Sequence, residues 1–280
     1  DRPVPEGDSI RHVAARLAPV LGGAELRAWD APLLRGPRPG LGTSIRSVDA
    51  VGKHLVIRVA DGIHVRVHLG MTGSWHLYRA DERWSVPGHL VRLAIETDDW
   101  AAVCIKAPTV SSSRRPRDGL DHLGPDLSDD EPDLDAALDR MDRLCDDRVT
   151  LADALLDQRI ACGVGNVFKS EICNACGMSP FVRVVELDTD RRRQLLEIAH
   201  RFLVANRAPG PRRTVPGGVA VYDRVSQGCR RCGGPVRSAP QGPDRRVTFW
   251  CTRCQPTGAR GPGPAGGENA GLGDRAESGG

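Results

Sequence analysis

Residues 44–69 read SIRSVDAVGKHLVIRVADGIHVRVHL, and this stretch decides the fold of the first half of the chain. Apolar and polar residues alternate as in half-buried strands, and Asp61-Gly62 is a turn signal between two of them. Strands are predicted here and further outward, at 25–29, 44–51, 54–59, 63–69, 74–78, 90–96 and 101–106. Short strands separated by turn signals predict an antiparallel β-sandwich or barrel.

Helical patterns lie on both sides of this β-rich region. A helical apolar face follows Asp8, which we expect to be the N-cap of a first helix. Ser111–Asp118 (SSSRRPRD) is basic and is interpreted as a linker. Beyond residue 132 the pattern becomes helical, with a long helix predicted over 188–206. Residues 256–280 contain nine glycines and no aromatic residue, so we expect a disordered tail.

Four cysteines near the carboxyl end form two C-x2-C pairs that are separated by eighteen residues. Each pair can sit on a tight turn, and the segment between the pairs can form a hairpin that joins them. Four thiolates in a tetrahedral array suit one structural zinc ion. The predicted ligands are Cys229, Cys232, Cys251 and Cys254. Cys173 and Cys176 form another such pair without free partners, and we interpret them as ordinary buried cysteines.

Charge is distributed unevenly along the chain. Residues 207–254 carry ten arginines against two aspartates, a local net charge of +8, whereas residues 128–147 carry nine acids against two arginines, a net of −7. A concentrated basic end favours a phosphate-rich partner, and a solvated surface is the alternative. The sequence has no apolar run of about 18 residues and no charged-then-apolar leader. We therefore expect a soluble intracellular protein.

Gly163-Val164-Gly165-Asn166 predicts a tight turn before a helix that begins at Val167. It is not a dinucleotide-binding fingerprint, because no strand precedes it and the third glycine is missing. Backbone N–H groups at the start of such a helix can bind a phosphate, with the Asn166 side chain as an additional donor. A simple N-cap role for Asn166 is the alternative. Arg245 and Arg246, on the cysteine hairpin, can hold a backbone phosphate as well.

Several segments together resemble the formamidopyrimidine-DNA glycosylase and endonuclease VIII family of base-excision repair enzymes. The resemblance runs from residue 5 to the last cysteine pair, in order and at the family's distances. Its segments are PEGD at 5–8, VGKH at 51–54, HLGMTG at 68–73, HLGPDL at 122–127, LDQR at 156–159, GVGN at 163–166, VYDR at 221–224 and RVTFWC at 246–251. The PEGD start is more similar to the endonuclease VIII branch than to the 8-oxoguanine branch.

The resemblance implies an α+β multidomain fold with DNA in a cleft between the domains. Its parts are an N-terminal helix plus β-sandwich at 1–127, a helix–two-turn–helix domain at 128–218, a C-terminal zinc-finger hairpin at 219–255 and the tail at 256–280. It also implies one structural Zn²⁺ ion and damaged double-stranded DNA as the partner, with no membrane. We expect a monomer in the bacterial cytoplasm, associated with the nucleoid through DNA.

The resemblance further implies catalytic roles for three residues. Pro5 is the nucleophile, which attacks C1′ of the damaged nucleotide through its free secondary amine and forms an iminium. Glu6 is the carboxylate that donates a proton at the sugar. Lys53 is associated with β-elimination and with a phosphate contact.

DNA contacts are implied for three residues. Asn166 binds a phosphate, and Arg246 holds a phosphate and is tied to δ-elimination. Met71 fills the gap that a flipped nucleotide leaves in the stack, as apolar wedges do, and core packing on a strand is its alternative. Gly70 beside it lacks the larger polar side chain that some relatives carry.

The predicted function is that of a bifunctional DNA glycosylase and AP lyase, which removes oxidised bases, with pyrimidines favoured, by β,δ-elimination. This chemistry requires a free nitrogen on Pro5, yet Asp1–Val4 precede it. We hypothesise that Val4 stands for a GTG start codon, read as a methionine that is later removed. The alternatives are a DNA-binding homologue without catalysis, a glycosylase specific for 8-oxoguanine or formamidopyrimidine, and a zinc-ribbon module that binds a protein.

Overall fold

A computed structural model describes residues 5–256, and it confirms the expected α+β class. The helices are α1 (Gly7–Leu21), α2 (Leu134–Leu144), α3 (Leu151–Leu156), α4 (Asn166–Ala175) and α5 (Thr189–Ala205). The strands are β1 (Ala28–Asp30), β2 (Ile45–Val51), β3 (His54–Val59), β4 (His64–His68), β5 (Ser74–Arg79), β6 (Val91–Glu96), β7 (Trp100–Ile105), β8 (Thr109–Ser113), β9 (Val236–Gln241) and β10 (Arg246–Cys251). Among the described residues, no helix combines the length and apolar character needed to cross a bilayer.

The β-rich half consists of two antiparallel four-stranded sheets. One sheet has the order β2-β3-β4-β8, and the other has the order β1-β6-β7-β5. Inward-facing residues of both sheets share one apolar core, which is completed by one face of α1. The alternation in residues 44–69 is therefore the pattern of a sandwich, with α1 packed chiefly on β2.

The linker predicted at 111–118 is wrong for its first three residues. Ser111–Ser113 belong to β8, which pairs along β4 from Thr109 opposite His68 to Ser113 opposite His64. The buried Ser112 hydroxyl donates a hydrogen bond to the Pro37 carbonyl. Small polar side chains can satisfy a strand in this way, but a reading based on apolar alternation misses such a strand.

The N-cap predicted at Asp8 is also wrong. The helix α1 begins at Gly7, and its N-cap is Glu6, which has extended backbone dihedral angles. Neither residue is exposed as an ordinary helix start would be, because Glu6 is fully buried and Asp8 is nearly so. Their carboxylates are used in long-range contacts, which local capping preferences do not reveal.

Two further cores follow the sandwich. Helices α2 to α5 share one apolar core, and the long helix predicted at 188–206 is α5. The strands β9 and β10 form a two-stranded hairpin with a small core of its own. Residues 1–4 lie outside the described residues, and so do the hypothesised initiator at Val4 and the predicted tail after residue 256.

Candidate active site and metal centre

The carboxylate of Glu6 occupies the N-terminus of α4. One oxygen accepts hydrogen bonds from the backbone N–H groups of Gly165 at 2.7 Å and Phe168 at 3.3 Å, and the other accepts from Val167 at 2.8 Å. These are among the N–H groups that a helix start leaves without intrahelical partners, and a negative charge suits that end of the helix. The residues that fix the Glu6 side chain thus lie 159 to 162 positions later in the sequence.

The glycine turn at 163–166 exists because the chain segments approach so closely here. The N–H of Gly7 donates to the carbonyl of Gly163 at 2.8 Å. A Cβ atom on Gly165 would lie 2.4 Å from the carboxyl carbon of Glu6. Glycine at 165 therefore makes room for Glu6, so the motif at 163–166 and the motif at 5–8 form one unit.

This arrangement corrects one sequence expectation. The backbone N–H groups at the start of α4 were expected to bind a phosphate, but three of them bind the Glu6 carboxylate instead. The helix also begins one residue earlier than expected, at Asn166, with Gly165 as its N-cap. The simple N-cap role for Asn166 is therefore wrong as well.

The environment of Glu6 favours its neutral form. Complete burial raises the pKa of this carboxyl above its usual value. The positive charges of Arg212 and Lys53 and the hydrogen bond from Val167 act in the opposite direction. A carboxyl whose pKa is raised in this way can carry a proton at a higher pH than an exposed one, as a general acid requires.

Lys53 lies in the turn between β2 and β3. The turn is held by Gly52, whose N–H donates to Asp126 at 2.7 Å and whose φ of 57° favours glycine. Burial lowers the pKa of Lys53 to about 8, although the negative charge of Glu6 opposes this effect. An amine with this pKa exchanges protons near neutral pH, which suits a group with a role in elimination.

Pro5 and Met71 line the same cleft, whose volume is about 300 Å³. Met71 is 73 % exposed at the tip of the turn between β4 and β5, so the core-packing alternative is wrong. Gly70 has a φ of 58°, and a Cβ atom on it would lie 2.8 Å from Cγ of Pro108. A larger residue at position 70 does not fit this turn, and Met71 stands there as an exposed apolar side chain beside Pro5.

Asn166 contacts the hairpin at Val247, the residue after Arg246. The Asn166 side chain donates from Nδ2 to the carbonyl of Val247 at 2.9 Å, next to Arg246 in the sequence. Among the described residues, the buried Oδ1 of Asn166 has no hydrogen-bond partner. The guanidinium of Arg246 is about half exposed and lies 3.3 Å from Asp244. Its positive charge also lowers the pKa of Lys53, so it faces the same region.

The middle of α4 presents polar side chains that are buried against the hairpin, and sequence reasoning did not identify them. Lys169 donates from Nζ to Thr248 Oγ1 at 2.7 Å, and burial lowers the pKa of Lys169 to about 8. Glu171 accepts hydrogen bonds from the backbone N–H groups of residues 220–222. Asn174 donates to Gln255 at 3.0 Å. No one-sided apolar pattern could mark these side chains, because α4 is buried all the way round from Val167 to Asn174.

The two C-x2-C pairs come together as predicted. The four Sγ atoms lie within 4.8 Å of one another, and three of their separations are 3.3, 3.5 and 4.0 Å. Four sulfurs at Zn–S bonds of about 2.3 Å in a tetrahedron would be about 3.8 Å apart. Backbone N–H groups of Gly234 and Cys254 point at Cys232 and Cys251, as is usual around bound thiolates. The cluster can therefore hold a metal ion, and Cys173 and Cys176 are not part of it.

The chain is similar to several known sequences. The family described as "Formamidopyrimidine-DNA glycosylase N-terminal domain" matches residues 4–108. "Probable endonuclease 8 2" from Streptomyces coelicolor is 38 % identical over 278 residues, which cover 96 % of this chain and 99 % of that protein. "DNA-(apurinic or apyrimidinic site) lyase Nei2" from Mycolicibacterium smegmatis is 34 % identical over 261 residues, which cover 90 % of this chain and 99 % of that protein.

Solved structures show the same fold. A complex of Lactococcus lactis Fpg with DNA containing an abasic site has a TM-score of 0.74 to this chain, at 18 % identity, and covers 90 % of this chain and 100 % of that one. A complex of an inhibited form with DNA containing a benzylated formamidopyrimidine has a TM-score of 0.75, also at 18 % identity, with the same coverage. At this identity the likeness concerns the fold alone.

Proposed function

This chain belongs to the formamidopyrimidine-DNA glycosylase and endonuclease VIII family, and from that premise we propose how its residues divide the reaction. The protein is a bifunctional DNA glycosylase and AP lyase of base excision repair. The observation that carries our assignment of roles is the position of Glu6, buried at the N-terminus of α4 directly after Pro5.

In the proposed first step, the secondary amine of Pro5 attacks C1′ of a flipped nucleotide. The bond between C1′ and the base breaks, its electrons leave with the base, and the base takes up the proton that the attacking amine loses. Glu6 gives its proton to the sugar ring oxygen, which opens the ring and leaves an iminium between the Pro5 nitrogen and C1′. Burial of Glu6 supports this role, because it keeps the carboxyl protonated to a higher pH.

In the proposed second step, the iminium makes the proton on C2′ acidic. Loss of that proton expels the 3′ phosphate, which is β-elimination, and a second elimination expels the 5′ phosphate. Lys53 is proposed to serve the first elimination and a phosphate contact, since burial lowers its pKa to about 8. Arg246 and Asn166 are proposed to hold the phosphate for the second, since Arg246 follows the hairpin turn and Asn166 donates to the carbonyl of the next residue, Val247.

We propose Met71 as the wedge that fills the vacated stack, and its exposure beside Pro5 supports this. We propose Zn²⁺ as the ion of the Cys229, Cys232, Cys251 and Cys254 cluster, because a closed set of four thiolates suits structural zinc. When bound, the ion would fix the hairpin and would take no part in the reaction. The division of the chain at 127, 218 and 255 stays a proposal, supported by the separate cores.

Oxidised pyrimidines in duplex DNA are our proposed substrates. The PEGD start and the endonuclease 8 relatives support this choice. Formamidopyrimidine lesions are the second candidate, because a "Formamidopyrimidine-DNA glycosylase" from Laribacter hongkongensis is 31 % identical over 90 % of this chain. Competition between duplexes that carry 5-hydroxycytosine and the formamidopyrimidine of guanine decides between them. We also propose a monomer that works on chromosomal DNA in the cytoplasm, and light scattering tests its mass.

Borohydride trapping tests the role of Pro5. Two proteins are compared on duplex DNA with an abasic site, one beginning at Pro5 and one in which Val4 still precedes it. We expect a covalent adduct only from the first, because an amide nitrogen cannot form an iminium. The absence of an adduct from the first protein, with DNA binding intact, would overturn the covalent mechanism and favour a homologue that binds DNA without catalysis.

A further inference from the structure

A buried ion pair joins the first helix to the loop after α5. Arg212 donates from Nε and Nη2 to the two carboxylate oxygens of Asp8, both at 2.7 Å. Only 6 % of the Arg212 side chain and 4 % of the Asp8 side chain are exposed. Arg212 also donates to the hydroxyl of Ser9 at 3.0 Å. This two-pronged geometry is the strong form of an arginine–carboxylate contact.

The same guanidinium faces the active site. Its Nη1 lies 3.7 Å from Oε1 of Glu6, and its central carbon lies 5.0 Å from the centre of the Phe168 ring in α4. Arg212 also lines the cleft that contains Pro5 and Met71. It therefore contacts α1, α4 and the acidic group of the proposed reaction at once.

We propose that Arg212 is a positioning residue for base excision, which holds the loop 208–213 against α1 beside Pro5 and balances the charge at Glu6. The proposal rests on the role of Glu6 as proton donor. A buried pair of this kind costs desolvation, so its contribution to stability is small or unfavourable compared with an apolar contact. Because the ion pair lies beside Glu6, we assign it a role in the reaction and not in the stability of the fold.

Charged groups surround Glu6 on every side. Asp8 lies on α1, Lys53 lies in the turn between β2 and β3, Lys169 lies on α4 and Arg212 lies on the loop. The α4 backbone N–H groups complete this surrounding. Burial raises the pKa of Glu6, the charges of Arg212 and Lys53 lower it, and the charge of Asp8 raises it. Arg212 and Asp8 are partners in one ion pair, yet they act on Glu6 in opposite directions.

This opposition provides the test. Arg212→Met and Asp8→Asn both break the ion pair, but the first removes a positive charge from Glu6 and the second removes a negative one. Excision by a group that must be protonated declines as the pH rises through its pKa. We expect the alkaline limit of single-turnover excision to move up by about one pH unit in Arg212→Met and down by a similar amount in Asp8→Asn.

Three controls accompany these variants. Arg212→Lys keeps the charge and should restore the wild-type limit in part. Arg213→Met changes an exposed neighbour whose hydrogen bonds to Asn206 are made by its backbone. This variant should leave the alkaline limit of excision unchanged. Strand cleavage at a preformed abasic site should shift less than excision in each variant, because an abasic sugar already opens to its aldehyde without a proton donor. Thermal unfolding confirms that each variant is folded.

The outcomes distinguish the proposed role of Arg212 from the proposed role of Glu6. Shifts of Arg212→Met and Asp8→Asn in the same direction, or no shift in either, overturn the role of Arg212 and leave a purely structural ion pair. If Glu6→Gln retains full excision, the proposed role of Glu6 fails first, whatever Arg212 does. Opposite shifts together with an inactive Glu6→Gln support both proposals.

Discussion

The start of α4 (the Glu6 end) and its middle (the hairpin end) hold the two halves of the proposed active site by different means. At its start, three backbone N–H groups bind one carboxylate, Glu6. Along its middle, buried side chains such as Lys169 and Asn174 contact the hairpin that carries Arg246. The first places the proposed proton donor directly after Pro5, and the second supports the hairpin that carries Arg246, the proposed phosphate contact. The helix α4 thus supports the proposed catalytic group with backbone atoms and the proposed DNA-binding hairpin with side-chain atoms.

The difference predicts how each half fails. In Glu6→Gln the side chain keeps an oxygen that can accept from the α4 N–H groups, so the Glu6 end can lose its acid and stay folded. A structural zinc ion contributes about 10–16 kcal/mol in small zinc-finger peptides, which is far more than the hairpin's own hydrogen bonds. The hairpin should therefore fail as a whole when its ion is lost, whereas the Glu6 end should fail in its chemistry alone.

Loss of one thiolate should give the largest effect, because it should remove the metal and DNA binding together, and excision with them. In Cys251→Ala we expect the metal to be lost and duplex binding to fall by at least about 100-fold, because the hairpin no longer holds Arg246 in place. Metal analysis and a binding titration measure the two losses. Cys176→Ala, at a partly buried cysteine outside the cluster, is the matched control. Unchanged metal content and affinity in Cys251→Ala would contradict the assignment of this cluster.

Glu6→Gln should give the next largest effect, and it should be confined to chemistry. We expect base excision to slow by about 10²- to 10⁴-fold, since an amide has no acidic proton to give. Metal content and duplex affinity should stay near wild type, because within residues 5–256 the hydrogen bonds and the ion pair of Glu6 go to α4 and Arg212 and not to the hairpin. Single-turnover rates on a lesion duplex provide the measurement. A variant that loses DNA binding instead would show that the two ends of α4 are not independent.

The sequence predicts the contacts of the hairpin end better than those of the Glu6 end. The cysteine ligands could be predicted because their spacing is local, two residues within a pair and one hairpin between pairs. The Glu6 contacts could not, since they join α1 to a helix start about 160 positions later. The glycines at 163–166 predict a helix start that can bind an anion, but the sequence does not show that this anion is the Glu6 carboxylate and not a phosphate.

Arg212 illustrates the same limit. It is one of thirty-six arginines, in a loop without helical or strand periodicity, so no local pattern distinguishes it from Arg213. Asp8 was read as a capping residue because aspartate near a helix start usually is one. Only the folded chain shows that the two are partners, 204 positions apart. The clustering of the four cysteines was thus accessible from their spacing, whereas the charge balance at Glu6 was not.

Arg246→Ala tests the hairpin end without removing its metal. We expect binding to weaken by about 10- to 100-fold, the range of a lost charged hydrogen bond. Strand cleavage at saturating enzyme should stop more often after β-elimination, because the phosphate is no longer held for the second step. Gel analysis of the product ends gives the ratio. Arg237→Ala, at an exposed position on the other strand of the hairpin, is the control. An unchanged product ratio would separate Arg246 from δ-elimination.

The smallest predicted effect concerns Lys53, which lies between the two ends. Its pKa of about 8 means that the amine loses its positive charge as the pH rises from 7 to 9. If it contacts a phosphate, wild-type affinity should fall several-fold over this range, and the salt dependence should weaken by about 0.9 in slope. Lys53→Arg should bind with little change over the same range, because a guanidinium stays charged. Lys169, whose pKa is also lowered to about 8, remains in both proteins, so their difference isolates Lys53. If duplex affinity depends equally on pH in the two proteins, Lys53 does not contact a phosphate. Its proposed role is then limited to β-elimination.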